Sequence, residues 1–139
     1  MARLLKWLSW TMGIACAAIG AAHIVTGMDT VPDGDSAGAT VDSLVRFFGA
    51  VFLGYGLAWI HVARQSPIPS KWVRRLAGIM FLGGAARLLS WGSLGAPNWF
   101  QVVLMAVELV LPPLYFWLST ADEREAAGRP REAGERVAS

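Results

Sequence analysis

The sequence from Ser43 to Val62, SLVRFFGAVFLGYGLAWIHV, decides the fold class. It is apolar almost throughout, and its basic side chains are Arg46 and His61. About 20 such residues in a helix cross the ~30 Å hydrocarbon core of a bilayer. A helix also pairs its backbone groups within the segment, which lipid requires. The stretch therefore predicts a transmembrane helix.

Apolar stretches of similar length lie on both sides of this one. They run from about Leu4 to Val25, from about Val73 to Leu94 and from about Trp99 to Leu118. We therefore predict an all-α integral membrane bundle of four transmembrane helices over residues 1–120. Residues 121–139 are charged and contain Gly and Pro, which predicts a disordered cytoplasmic tail.

The composition excludes several classes of protein. Of the 139 residues, 55% are hydrophobic and 16% are charged, whereas soluble domains carry roughly 25% charged residues. The single cysteine, Cys16, excludes a disulfide scaffold. No set of His, Cys, Asp and Glu has metal-ligand spacing on a helix, so we predict no metal. The sequence also has no Walker loop, no GxSxG elbow and no dinucleotide fingerprint, and we predict no cofactor. The basic residues lie between apolar runs instead of along one face, so we predict no binding to nucleic acid.

The positions of lysine and arginine predict the orientation of the bundle. The first and third connections between spans contain none of them, and the N-terminus, the middle connection and the tail contain most of them. Because basic residues favour the cytoplasmic side, both termini are predicted to be cytoplasmic. An alternative is that Arg3, Lys6 and the following apolar stretch form a signal peptide that is cleaved.

Polar and ionisable side chains within the predicted spans or at their outer ends are the candidate functional residues. An ionised group near the bilayer centre costs at least ~2.5–3.5 kcal/mol, so such groups face the bundle interior or pair with one another. At 1.5 Å per residue, Arg87 lies roughly 10 Å and Glu108 roughly 13 Å from the outer end of its helix. Arg46, His23, Asp42 and Gln101 lie closer to the same side.

The spacing of these residues predicts a buried polar pocket that faces outward. Asp42 and Arg46 are four residues apart and share a helix face, so they can pair. Gln101 and Glu108 are two helical turns apart on one face. In the predicted pocket two arginines face Glu108, above an apolar floor of Phe47, Phe48, Phe52, Tyr55, Phe81 and Met105. The predicted ligand-binding residues are His23, Asp42, Arg46, Tyr55, Arg87, Gln101 and Glu108.

Several of these segments resemble a known family. They are DSLVRFFGAVFLGYGLAW (42–59), RLLS (87–90), ELVLP (108–112) and GAAH (20–23). Together they resemble a bacterial family of small membrane proteins classed as a domain of unknown function, which is broadly similar to DoxX-like four-helix proteins. The resemblance extends from Gly13 to Trp117. It implies a four-helix protein of the bacterial inner membrane and no established reaction.

These features leave several functions open. The first is binding of a membrane lipid or another amphipathic or apolar small molecule in the pocket, or a role as a homo-oligomer or a subunit of a membrane complex. The second is a small membrane enzyme, an isomerase, cyclase or hydrolase of an apolar substrate. Glu108 would then be its acid or base, Arg46 and Arg87 would stabilise negative charge, and His23 or Asp42 would relay a proton. The third is transport of protons or small molecules. Purely structural ion pairs are a further alternative.

Overall fold

The computed structural model describes the backbone of residues 1–32 and 38–138, and side chains as far as residue 128. Within these residues the chain is all-α. The helices are α1 (Ala2–Thr26), α2 (Ala39–Arg64), α3 (Ser70–Leu94) and α4 (Trp99–Ala138), and a 3₁₀ turn, Gly27–Thr30, follows α1. The sequence predicts a polar loop from Gly27 to Asp42 between the first two spans, and residues 33–37 of this loop lie outside the described residues.

Three segments in the described part of the chain are long and apolar enough to cross a membrane. They are Ala2–Thr30, Ala39–Arg64 and Trp99–Gly128, so the prediction of an all-α membrane protein is confirmed. The helix α3 has 25 residues, about 38 Å at 1.5 Å per residue, and is therefore long enough. Its arginines, glycines and serines make it less apolar, so its crossing and the orientation of the termini stay predictions.

The backbone of α4 is helical to Ala138, well beyond the predicted end of the span at Leu118. Residues 121–128 contain three alanines, two glutamates and one arginine, and these residue types favour helix. The side chains of residues 129–138, and all of residue 139, lie outside the described part. The separation of residues 121–139 as a disordered tail therefore stays a prediction.

Glycines bring α1 and α2 into backbone contact. A Cβ on Gly13 would lie 3.0 Å from the carbonyl oxygen of Gly56, and a Cβ on Gly49 would lie 2.9 Å from that of Gly20. Such close approach gives helices in lipid the packing that holds them together. Small residues at helical spacing in the sequence predict the faces on which these helices contact each other, and this prediction is correct for Gly13, Gly20 and Gly49. It also indicates Gly54, but the described structure has open space there, and Gly56 makes the contact.

The four helices form two pairs that are joined mainly at one end. The helix α1 packs along α2, and α3 packs along α4. All four contribute to a hydrophobic core at the end that contains the N-terminus and the connection between α2 and α3. Its buried members are Leu5, Trp59, Val62, Ile68, Val73, Leu76, Ala77, Met80, Tyr115 and Leu118.

Two tyrosines connect the helix pairs near this core. The Tyr115 hydroxyl donates a hydrogen bond to the carbonyl oxygen of Leu8 at 2.9 Å, which joins α4 to α1. The Tyr55 hydroxyl donates to the carbonyl oxygen of Leu76 at 2.7 Å, which joins α2 to α3. Buried polar groups need such partners. The bonds fix how the pairs meet at the core end.

Replacing Tyr115 by phenylalanine is expected to lower the free energy of unfolding by about 1 kcal/mol, because one hydrogen bond between the pairs is lost. Unfolding in mixed detergent micelles, followed by circular dichroism, measures this change. Ser93→Ala is the control, since within the described part of the chain the exposed Ser93 hydroxyl donates to the carbonyl oxygen of Leu89 in its own helix, α3. Equal losses in the two variants would contradict the role given to Tyr115.

Candidate functional site

A cleft of about 530 Å³ lies between the two helix pairs, at the end away from the core. Its volume is within the range of roughly 300–1,000 Å³ that is usual for small-molecule sites. All four helices contribute to its walls. The lining residues are Ile19, His23, Thr30, Val45, Phe48, Gly49, Val51, Phe52, Arg87, Phe100, Gln101, Leu104 and Glu108.

One part of the wall is a hydrogen-bonded polar group formed by Arg87, Gln101 and Glu108, which we name the Arg87 group. The Nε of Arg87 donates to Oε2 of Glu108 at 2.7 Å, and its Nη1 donates to Oε1 of Gln101. Gly84 allows α3 to come close to α4 here, because a Cβ on Gly84 would lie 3.1 Å from the Cβ of Glu108. The three side chains therefore connect α3 to one face of α4.

The Arg87 group is not buried as the sequence predicts. The side chains of Arg87 and Glu108 are 36% and 16% exposed, and Gln101 is also partly exposed. The prediction of a buried polar cluster is therefore wrong for the described residues. The physical reason is that the helix pairs separate at this end, which leaves the polar side chains on the wall of an open cleft.

The second arginine has a different environment. The Nε of Arg46 donates to Oδ2 of Asp42 at 2.8 Å, and its Nη1 donates to the carbonyl oxygens of Ile24 at 2.6 Å and Val25 at 3.1 Å. The last carbonyls of a helix have no partner within the helix and need such donors. Arg46 thus caps the end of α1. The structure does not bring both arginines to Glu108, and only Arg87 contacts it.

Two other predicted residues differ in their relation to the cleft. His23 lines it, and its Nδ1 donates to the carbonyl oxygen of Ile19 at 2.8 Å. Tyr55 bonds to Leu76 near the core and is not among the described lining residues. The cleft therefore contains His23, Arg87, Gln101 and Glu108 from the predicted set. Asp42, Arg46 and Tyr55 lie outside its lining.

The comparison with known families adds one finding. The sequence profile of a family described as "Domain of unknown function (DUF4345)" matches residues 4–119. The chain belongs to the DUF4345 family. The match includes every residue that lines the cleft. No curated protein and no solved structure matches the chain, so the chemistry of this DUF4345 protein has to be inferred from its own residues.

The apolar part of the DUF4345 cleft is only partly the predicted floor. Phe48 and Phe52 line it, as expected. Phe47 and Phe81 are instead 61% and 47% exposed on the outside of the bundle, and Met105 is buried elsewhere. The prediction is wrong for these three residues because helical spacing shows which residues share a face of one helix. It does not show how each helix is rotated against its neighbours.

Sequence reasoning missed several apolar residues of the cleft wall, namely Ile19, Val45, Phe100 and Leu104. The signal that would have found two of them is helical spacing. Ile19 is one turn before His23, and Leu104 lies between Gln101 and Glu108 on the same helix face. The helical spacing that predicts which polar residues share a face therefore also predicts that these two apolar residues lie beside them.

The arrangement limits the chemistry of the site. Among the described residues, no group of three His, Cys, Asp or Glu side chains is placed to hold a metal ion. The cleft instead offers the N–H groups of Arg87 and Gln101 as donors and the carboxylate of Glu108 as an acceptor. It can therefore hold a polar group by hydrogen bonds and an apolar group by contact with phenylalanine and aliphatic side chains.

Replacing Arg46 by alanine is expected to loosen the end of α1 while the bundle stays folded. The carbonyls of Ile24 and Val25 lose their donor, and because the side chain is partly exposed the loss of stability is about 1 kcal/mol. Hydrogen exchange of the amides of residues 23–31 measures the effect, and Arg64→Ala at the exposed end of α2 is the control. Unchanged exchange at these amides would contradict the capping role.

Proposed function

We propose that the protein binds an amphipathic, lipid-like molecule in the cleft between its helix pairs. The observation that carries this proposal is the composition of the cleft wall. The α2 side presents Val45, Phe48, Val51 and Phe52, and the α3–α4 side presents the Arg87 group. An apolar chain would lie against the first side while its polar end forms hydrogen bonds with the second. Binding sites for small molecules combine these two elements.

The proposed orientation places the core end of the bundle in the cytoplasm and the cleft in the outer half of the membrane. Arg3 and Lys6 lie at the core end, beside residues of the α2–α3 connection such as Gln65 and Ile68. A cluster of basic residues at one end supports a cytoplasmic location for that end. We further propose that α3 is the fourth span, that the membrane is the bacterial inner membrane, and that the bundle is DoxX-like.

The experiment is to purify the protein from native membranes in mild detergent and to identify bound molecules by native mass spectrometry and lipid analysis. Leu104→Trp fills the cleft and is expected to remove at least about nine-tenths of the bound molecule. Val103→Trp is the matched control, because Val103 is the neighbouring residue and is 48% exposed on another face of α4. Wild-type protein without a bound amphipathic molecule, or equal retention by both variants, would refute the proposal.

A second candidate function is catalysis by Glu108. In the described structure Oε2 of Glu108 accepts a hydrogen bond from Arg87, and Oε1 has no hydrogen-bond partner among the described residues. A carboxylate oriented in this way can accept a proton from a molecule in the cleft. Glu108→Gln separates the two functions, because the nearly isosteric variant would keep the bound molecule in both cases. In an enzyme it would also stop turnover, so that native lipid extracts are no longer converted.

A further inference from the structure

The charges on the wall of the cleft compensate each other. Among the described lining residues, the Arg, Lys, Asp and Glu side chains are Arg87 and Glu108, which form an ion pair at 2.7 Å. The Asp42–Arg46 pair nearby is likewise joined at 2.8 Å and is committed to the end of α1. Among the described lining residues, Arg87 is therefore the one arginine or lysine, and its charge is already compensated by Glu108. This differs from the pocket that the sequence alone predicts, in which two arginines face Glu108.

The hydrogen-bonding groups that remain suit an uncharged partner. Arg87 already donates to both Glu108 and Gln101. Its remaining N–H groups and the amide N–H groups of Gln101 can still donate, and Oε1 of Glu108 can still accept. A hydroxyl group can use both kinds of partner at once. A carboxylate or phosphate group could use only the donors, and it would lie close to the carboxylate of Glu108.

Resting on the proposed function, we infer that the bound molecule has an uncharged hydrogen-bonding head group, such as a hydroxyl, amide or carbonyl, and not an anionic one. An anion beside Arg87 is repelled by Glu108. It also loses its hydration in a region where ionised groups are costly. An uncharged head group meets neither penalty. The Glu108 carboxylate is thus a specificity determinant that excludes anionic amphiphiles.

Two probes with the same chain test this inference, oleyl alcohol and the permanently anionic oleyl sulfate. Binding of each radiolabelled probe to the purified full-length protein is measured in neutral detergent. Only the part that Leu104→Trp removes is counted as binding in the cleft. The wild-type protein is expected to bind the alcohol at least about tenfold more tightly, a difference of about 1.4 kcal/mol. Equal or tighter binding of the sulfate would overturn the inference and leave the proposed function intact.

Charge variants make the test independent of chain length and detergent. Glu108→Gln leaves Arg87 without a compensating charge. The affinity for oleyl sulfate is therefore expected to rise at least about tenfold and to match or exceed the affinity for oleyl alcohol. Arg87→Gln removes the cation, so the sulfate is expected to weaken further. If the ratio of the affinities for the alcohol and the sulfate is the same in Glu108→Gln as in the wild type, the role given to Glu108 is overturned. If neither probe shows binding that Leu104→Trp removes, the proposed function itself fails.

Discussion

Replacing Gly20 by leucine is expected to destabilise the bundle by at least about 3 kcal/mol, at the upper end of the effects of overpacking. A Cβ at this position would lie 2.6 Å from the carbonyl oxygen of Gly49 and 2.8 Å from the Cα of Leu53. Both are backbone atoms of α2 and cannot rotate away. The side chain would therefore force α1 and α2 apart along their contact.

The control for this variant is Gly54→Leu, which adds the same side chain to α2 at a position with open space around it. It is expected to change the free energy of unfolding by no more than about 0.5 kcal/mol, as exposed substitutions usually do. Unfolding in mixed detergent micelles compares the two variants directly. A similar loss in both would show that the glycine contacts do not hold α1 against α2.

Replacing Glu108 by leucine is expected to lower the free energy of unfolding by about 2 kcal/mol. The variant leaves the Arg87 guanidinium without its counter-ion, and removing one partner of a buried pair costs roughly 3–5 kcal/mol. The smaller figure applies because the Arg87 side chain is 36% exposed. The double variant Arg87→Met with Glu108→Leu is expected to recover most of the loss, because neither charge remains.

The double variant also separates a structural ion pair from a binding site. If the Arg87 group holds the polar end of a bound molecule, the double variant is stable but loses the molecule. If the pair serves only to fix α3 against α4, the molecule is retained at wild-type occupancy. Thermal unfolding and native mass spectrometry on the same preparation measure both properties. Retention at wild-type occupancy would contradict the proposed site.

The glycine contact shows what the sequence could predict of the fold. Four apolar stretches and the spacing of Gly13, Gly20 and Gly49 were sufficient to predict the helices and the contact face of α1. The choice between Gly54 and Gly56 was not predictable, because both are small residues on the same helix. Which one meets α1 depends on the rotation of α2 against its partner, and this rotation is a property of the packed bundle.

Arg87 and Arg46 show which parts of the site the sequence could predict and which it could not. The proximity of Arg87, Gln101 and Glu108 followed from helical spacing and from the cost of isolated charges in lipid. The position of Arg46 depends on where α1 ends, because its guanidinium bonds to the carbonyls of Ile24 and Val25. A capping contact between two helices leaves no periodic signal in either of them. The sequence therefore placed Arg46 in the pocket, and the structure places it at the end of α1.

The separation of the helix pairs is the feature that sequence reasoning could not provide. Tyr55 and Tyr115 join the two helix pairs near the core. At the other end of the bundle the cleft opens between the helix pairs. A pattern of apolar residues is compatible with a bundle that is closed along its whole length. The open end changes the polar residues from a buried cluster into the wall of a site, and the proposed function depends on it.

The most direct test of the proposed binding is to map where an apolar chain lies in the protein. A long-chain alcohol with a photoreactive diazirine in mid-chain is bound to the protein in nanodiscs, irradiated, and located by peptide mass spectrometry. We predict that labelling concentrates on Phe48, Phe52 and Leu104 and falls sharply in Leu104→Trp. Equal labelling of the outward-facing Leu57, Val103 and Val110, unaffected by that substitution, would contradict a molecule bound in the cleft.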